Sequence, residues 1–182
     1  MCLNLSMFNT KAVISFLFIL VLNFNFSQES VPNTIIADFN KKSISSDLVL
    51  KDGKYYVLSF WATWCIPCIN ELDAIADDYK EWTDNGIEIV AISTDDSRTK
   101  KRVRPMVNGK NWDFRILLDE NHDFKRALNI DGIPHTVVTK GKQIISRRVG
   151  YSPGEEADLL DSIIEYKSNN CLLYTSPSPR DS

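Results

Sequence analysis

The amino-acid sequence predicts an α/β fold in which a central mixed β-sheet is flanked by helices. Three observations predict it. Residues 55–61, Tyr-Tyr-Val-Leu-Ser-Phe-Trp, form an almost unbroken apolar and aromatic run, the mark of a strand buried on both faces. A segment of helical period follows and leads into a second β-rich run at 87–93, so that the three make a right-handed βαβ unit with parallel strands. Two later extended runs, 135–139 and 143–149, are separated by Lys140, Gly141 and Lys142, a hairpin signal that ends the sheet antiparallel, and a C-terminal helix completes the order.

Each element has a local cause. The 55–61 strand belongs at the centre because both its faces are apolar. Pro67 stands where the first turn of a helix tolerates proline, since the N–H it lacks has no intrahelical partner there, so a helix is expected to begin at the cysteines. Ile69, Leu72, Ala76 and Tyr79 recur at helical spacing as one apolar stripe, and Gly86 is placed as its C-terminal cap. The basic stretch 98–104 reads as a surface helix that ends or bends near Pro105, 114–118 as a short strand, and 123–128 as one or two helical turns. Ser152, Pro153 and Glu155 supply an N-cap, a first-turn proline and a capping-box partner for the last helix, which bears Leu160, Ile163 and Ile164. No internal repeat and no second domain is apparent.

At 182 residues, with 43% hydrophobic and 25% charged residues, the composition is that of one globular domain with terminal extras. A net charge of -3 supplies no basic character for nucleic acid. Lys11 precedes the apolar run 12–22, and 23–28 turns polar with the small Ser27, the order of a secretory signal peptide over residues 1–27. That run is shorter than the roughly 20 residues a spanning helix needs, so an uncleaved anchor fits less well. No small-x-small pattern marks a cleavage site. Residues 171–182 are rich in Ser and Pro and resemble the conceptual translation of a sequencing-library adapter, so this tail is expected to be non-native. Cys2 falls in the first of these segments and Cys171 in the second, which leaves Cys65 and Cys68 as the domain's own pair.

Trp64-Cys65-Ile66-Pro67-Cys68, at the junction of a central strand and a helix, carries the chemistry. Thiol–disulfide exchange needs a thiolate, and a helix N-terminus offers unpaired N–H groups and the positive end of the helix dipole to stabilise one. Cys65, first in line, is the expected attacking thiol, with Cys68 one turn later to resolve the mixed disulfide. Cysteines so placed ionise with a pKa of roughly 3.5 to 7.5, against about 8.5 for the free side chain. Two blander readings are weaker. Zinc takes about four ligands, and His122 and His135 are not spaced like a zinc-finger pair. A structural disulfide closing so short a loop would constrain the unfolded chain little. Neither a metal nor an organic cofactor is expected, the Cys65/Cys68 pair being the redox group.

The run Phe60-Trp61-Ala62-Thr63-Trp64-Cys65-Ile66-Pro67-Cys68, followed by Glu71 and later by Gly132-Ile133-Pro134, resembles the TlpA/ResA-type thiol-disulfide oxidoreductases of the bacterial envelope, over about residues 32–168. The resemblance implies a thioredoxin fold, a periplasmic or otherwise extracytoplasmic location, and reduction of protein disulfides, including those of apocytochrome c before haem attachment. Pro134 matches the family's cis-proline, which faces the cysteines and leaves the backbone of Ile133 open to an extended substrate strand; the residues alone favour an ordinary trans proline. Glu71 matches a glutamate that the family keeps near its cysteines. At about 100° per residue it lies off the stripe of Ile69 and Leu72 and on the side of Cys68, either as a proton shuttle for that thiol or as a solvated helix carboxylate. Thioredoxins proper carry a buried aspartate where this strand has Ser59, which removes one candidate proton acceptor.

Trp64 is expected to shape the substrate surface beside the cysteines, Trp61 to be core, and Ile66 and Pro67 to tune the reduction potential. The basic residues Arg98, Lys100, Lys101, Arg102 and Arg104 offer a dock for an acidic partner, although a solvated helix face is the simpler reading. The functional expectation is an exported monomeric enzyme that exchanges its dithiol with protein disulfides as a reductase and is recharged by a membrane reductant carrier. The same fold run as an oxidant or isomerase is the near alternative, because potentials among such proteins span roughly -270 to -120 mV. A Cu(I) carrier is a further alternative, against which stands the lack of Met or His close to the cysteines. A peroxidase is disfavoured because no isolated cysteine precedes the pair within the domain.

Overall fold

The computed structural model describes residues 29–172; the expected signal peptide and the expected tail beyond Leu172 lie outside the described residues. The chain runs β1 (Ile35–Asp38), β2 (Ser43–Ser45), α1 (Ser46–Val49), β3 (Tyr55–Trp61), α2 (Ile66–Asp77), α3 (Tyr79–Asp84), β4 (Ile87–Ser93), a 3-10 turn (Lys100–Arg102), α4 (Val103–Lys110), β5 (Arg115–Leu118), α5 (Asp123–Ala127), β6 (His135–Lys140), β7 (Gln143–Val149) and α6 (Glu155–Leu172). All the strands join one sheet in the order β2-β1-β5-β4-β3-β6-β7. β3, β4 and β5 are mutually parallel, while β6, β7 and the β1–β2 hairpin run antiparallel to their neighbours.

Strand alternation sorts the core into two layers. Tyr55, Val57 and Trp61 of β3 face a cluster that includes Cys65, Cys68, Leu72 and Ile75 of α2, Val103 and Val107 of α4, and Leu159, Leu160 and Ile163 of α6. Tyr56, Leu58 and Phe60 face the other cluster, with Val49 of α1, Phe124 of α5 and Val137 of β6. Every residue of β3 is buried, as a run without polar alternation requires. Fully burying each large aliphatic side chain of these layers is worth about 1.5–3 kcal/mol, and this is what holds helices of four to twelve residues that would not persist alone.

Three expectations are corrected. The segment read as one helix from the cysteines to Gly86 is two, broken at Asp78 (φ -108°, ψ 21°), where consecutive aspartates oppose the negative end of the helix dipole. Its buried stripe is Cys68, Glu71, Leu72 and Ile75, whereas Ile69, Ala76 and Tyr79 are only partly buried. The basic segment does not end at Pro105: a 3-10 turn leads into α4, and Pro105 sits in the first turn of α4, where its missing N–H costs nothing. The β1–β2 hairpin was not expected at all. Its strands are too short for periodicity to register, and its turn is made by Asp38, whose Oδ1 accepts the N–H groups of Asn40 (2.9 Å) and Lys42 (2.8 Å).

Candidate active site

The cysteines stand where β3 leaves the sheet and α2 begins. Cys65 is the N-cap residue, with extended backbone (φ -94°, ψ 95°); its N–H closes a turn on Ala62 O at 3.0 Å, and its carbonyl accepts the N–H of Ile69 at 3.1 Å. Pro67 occupies the first turn. The two sulfurs are joined as a disulfide with Cα atoms 5.3 Å apart. Cys65 keeps 5% of its surface exposed and Cys68 none, so an incoming sulfur has access to the first cysteine alone. Trp64 is 59% exposed and Ile66 also projects outward, placing apolar surface on either side of Cys65. Trp61 is wholly buried, edge-on to Trp112 with ring centroids 5.0 Å apart.

Glu71 is 4% exposed, on the buried face of α2 one turn after Cys68, which removes the solvated-carboxylate reading. Its surroundings follow from strand register. Ser59 of β3 and Thr136 of β6 are direct antiparallel partners and, by alternation, share the face that meets α2. Thr136 Oγ1 donates to Glu71 Oε1 at 2.6 Å, and Ser59 Oγ donates to Glu71 Oε2 at 3.3 Å. Burial pushes the Glu71 carboxyl above the usual range; the two hydroxyl donors pull it partly back, and the negative charges of Glu155 and Glu156 at the start of α6 add to the rise. A carboxyl so raised holds a proton more readily than an exposed one, which suits it to receive one from a neighbouring thiol. Sequence reasoning missed the two hydroxyls as its supports, although a lone Ser in an otherwise apolar buried strand is the available signal.

The Ile133–Pro134 peptide is cis. β6 starts directly after it, the Pro134 carbonyl accepts the N–H of Gly150 at 2.9 Å, and Ile133 packs against the cluster that contains both cysteines. The open end of the β6–β7 ladder, where His135 pairs with Val149, thus fixes one side of this loop, and the register that places Thr136 on Glu71 fixes the other. His135, next in sequence, points to the opposite face; it is buried, its Nε2 has no partner among the described residues, and burial lowers its pKa.

The basic segment is largely spoken for. Arg98 pairs with Asp96, Lys100 with Glu120, and Arg104 lies over the Phe39 ring at 4.3 Å while donating to the Phe39 carbonyl. Among the described residues, no group of three or more His, Cys, Asp or Glu side chains is placed to hold a metal ion.

Sheet order, helix placement and a Cys-x-x-Cys pair capping the helix after the central strand define a thioredoxin-like protein. The chain belongs to the AhpC/TSA family, whose model matches residues 27–148. The TlpA/ResA-type resemblance is borne out: over 106 residues the chain is 35% identical to the thiol-disulfide oxidoreductase ResA of Bacillus subtilis, a match covering 58% of this chain and 56% of that one. The chain therefore spans little more than half the length of that curated relative. The solution structure of a thioredoxin-like protein from Porphyromonas gingivalis superposes with a TM-score of 0.65 at 34% identity, covering 74% of this chain and 90% of that one. StoA from Bacillus subtilis shares the fold, with a TM-score of 0.59 at 19% identity over 75% of this chain and 97% of its own.

Proposed function

We propose that this protein is an exported thiol-disulfide oxidoreductase that reduces disulfides in protein substrates. The observation that carries the reading is a cysteine with one exposed edge at a helix N-terminus, backed by a sealed second cysteine and a buried carboxyl one turn further on. In the reduced protein the Cys65 thiolate attacks a substrate disulfide, forming a mixed disulfide and releasing one substrate thiolate. Cys68 then gives its proton to Glu71 and attacks Cys65 Sγ; the Cys65–Cys68 disulfide forms and the second substrate sulfur leaves, taking the proton back. Two electrons pass to the substrate, and an external dithiol, for which a membrane reductant carrier is the fitting source, restores the pair. Trp64 and Ile66 with the Ile133–Pro134 loop supply the apolar and main-chain surface for an extended polypeptide. Export is supported by the Lys11 and 12–22 pattern, and apocytochrome c before haem attachment is the substrate we favour on the family resemblance.

Titration of the purified protein against glutathione buffers, with trapping of partners in cells by Cys68→Ala, tests this. A potential near about -270 mV and apocytochrome among the trapped proteins support the reading; a value near about -120 mV reverses the direction of flow. Exchange that survives Cys65→Ser refutes the assignment of the nucleophile. Fusing residues 1–30 to a reporter that is active only outside the cytoplasm tests export.

A further inference from the structure

The loop that presents Trp64 and Cys65 is held from behind by the end of the neighbouring strand. Trp61 of β3 pairs with Ser93 of β4, and beyond that point the two segments stay linked through main-chain and side-chain hydrogen bonds. Thr94 donates both its N–H (2.8 Å) and its Oγ1 (3.0 Å) to the Trp61 carbonyl. Asp95, 2% exposed, receives the Thr63 N–H on Oδ2 at 2.9 Å, the Thr63 hydroxyl on Oδ1 at 2.6 Å, and the Ser93 hydroxyl on Oδ2 at 2.9 Å. No cation pairs with Asp95 among the described residues. The mount extends to a third strand: Asp119 after β5 donates its N–H to the Ser93 carbonyl at 2.8 Å, and His122 Nε2 lies 2.8 Å from the Thr94 carbonyl. A carbonyl only accepts, so the proton is on that nitrogen.

We infer that Asp95 is a positioning residue for the exchange reaction: through Thr63 it fixes the loop that sets Cys65 at the helix N-terminus. The physical reason is economy of donors. Thr63 lies two residues before the nucleophile, and both its N–H and its hydroxyl are buried donors that Asp95 satisfies; without that acceptor they must seek partners elsewhere, and the loop moves. A buried acid that served only to fill space would be cheaper as an apolar residue.

This rests on the exchange reading, and the test separates the two. Disulfide exchange, the pH profile of Cys65 alkylation in the reduced protein, and the thermal midpoint of the oxidised protein are measured for wild type, Thr63→Val, Thr63→Ser and Asp95→Asn. Thr63→Val keeps volume and the main-chain bond, so it remains informative if Asp95→Asn does not fold. Loss of one buried hydrogen bond should slow exchange roughly tenfold and displace the alkylation profile to higher pH, with Thr63→Ser restoring the rate to within about threefold. An alkylation profile and rate unchanged in Thr63→Val, with only the thermal midpoint lowered, overturns the inference. Wild type without exchange activity overturns the parent reading instead.

Discussion

Thr136 Oγ1 lies 2.6 Å from Glu71 Oε1, joining the strand that begins after Pro134 to the helix that carries Cys68. One hydrogen bond therefore couples the substrate-side loop to the group proposed to take the resolving proton. Because this donor holds the carboxyl down against the effect of burial, Thr136→Val should raise the Glu71 pKa further. The expected outcome is a resolution step whose pH dependence moves to higher pH, seen in single-turnover decay of a mixed disulfide. An unmoved profile separates Glu71 from that step.

Glu71 also predicts a pH dependence of stability. Its folded pKa is raised above the ordinary 4.5, so the native state holds the proton more tightly than the unfolded chain. The associated stability is complete below pH 4.5 and is lost as pH rises through the folded value. Glu71→Gln removes this loss while keeping an amide oxygen for Thr136, so its thermal midpoint should exceed wild type by a few degrees at neutral pH and the gap should close in acid. A constant gap across the range argues against an ionising Glu71.

His135 works in the opposite sense. Burial, with the positive charges of Arg147 on β7 and Lys125 on α5, depresses its folded pKa below 6.5, while Asp131 opposes the shift. The unfolded chain then binds the proton first, and stability falls as pH drops from 6.5 through the folded value. Since Nε2 has no partner among the described residues, His135→Leu should leave neutral-pH stability nearly intact and flatten the decline below pH 6.5, as urea midpoints at successive pH values would show.

Trp112 joins the end of β3 and the approach to β5 to the middle of α2. It stacks on Phe114 at 5.6 Å, meets Trp61 edge-on, and donates from Nε1 to Asp73 Oδ1 at 3.0 Å. Trp112→Ala should cost about 3–5 kcal/mol in equilibrium unfolding. A loss under about 1 kcal/mol would mean that the surrounding layer collapses into the space.

The central elements were legible because their causes are local. β3 declares itself by seven consecutive apolar or small residues, all buried, and α2 by the proline after its cap, whereas the start of α6 lies later than expected: Gly154 (φ 98°) keeps residues 152–154 out of the helix, which begins at Glu155, although the Glu155 carboxylate still returns to the Ser152 N–H at 2.9 Å. The β1–β2 hairpin and the break at Asp78 were not legible, since the first depends on pairing with distant β5 and the second on which short helix the core accommodates.

The order of residues by itself determined that two sulfurs would meet at the start of a helix behind a buried strand, because backbone sterics and hydrophobic period act over a few residues. Only the tertiary structure decided that Glu71 is dry and held by Ser59 and Thr136, and that Asp95 anchors Thr63. Those contacts join residues 12, 65 and 32 positions apart, and strand register, a property of the whole sheet, is what brings them within hydrogen-bond reach.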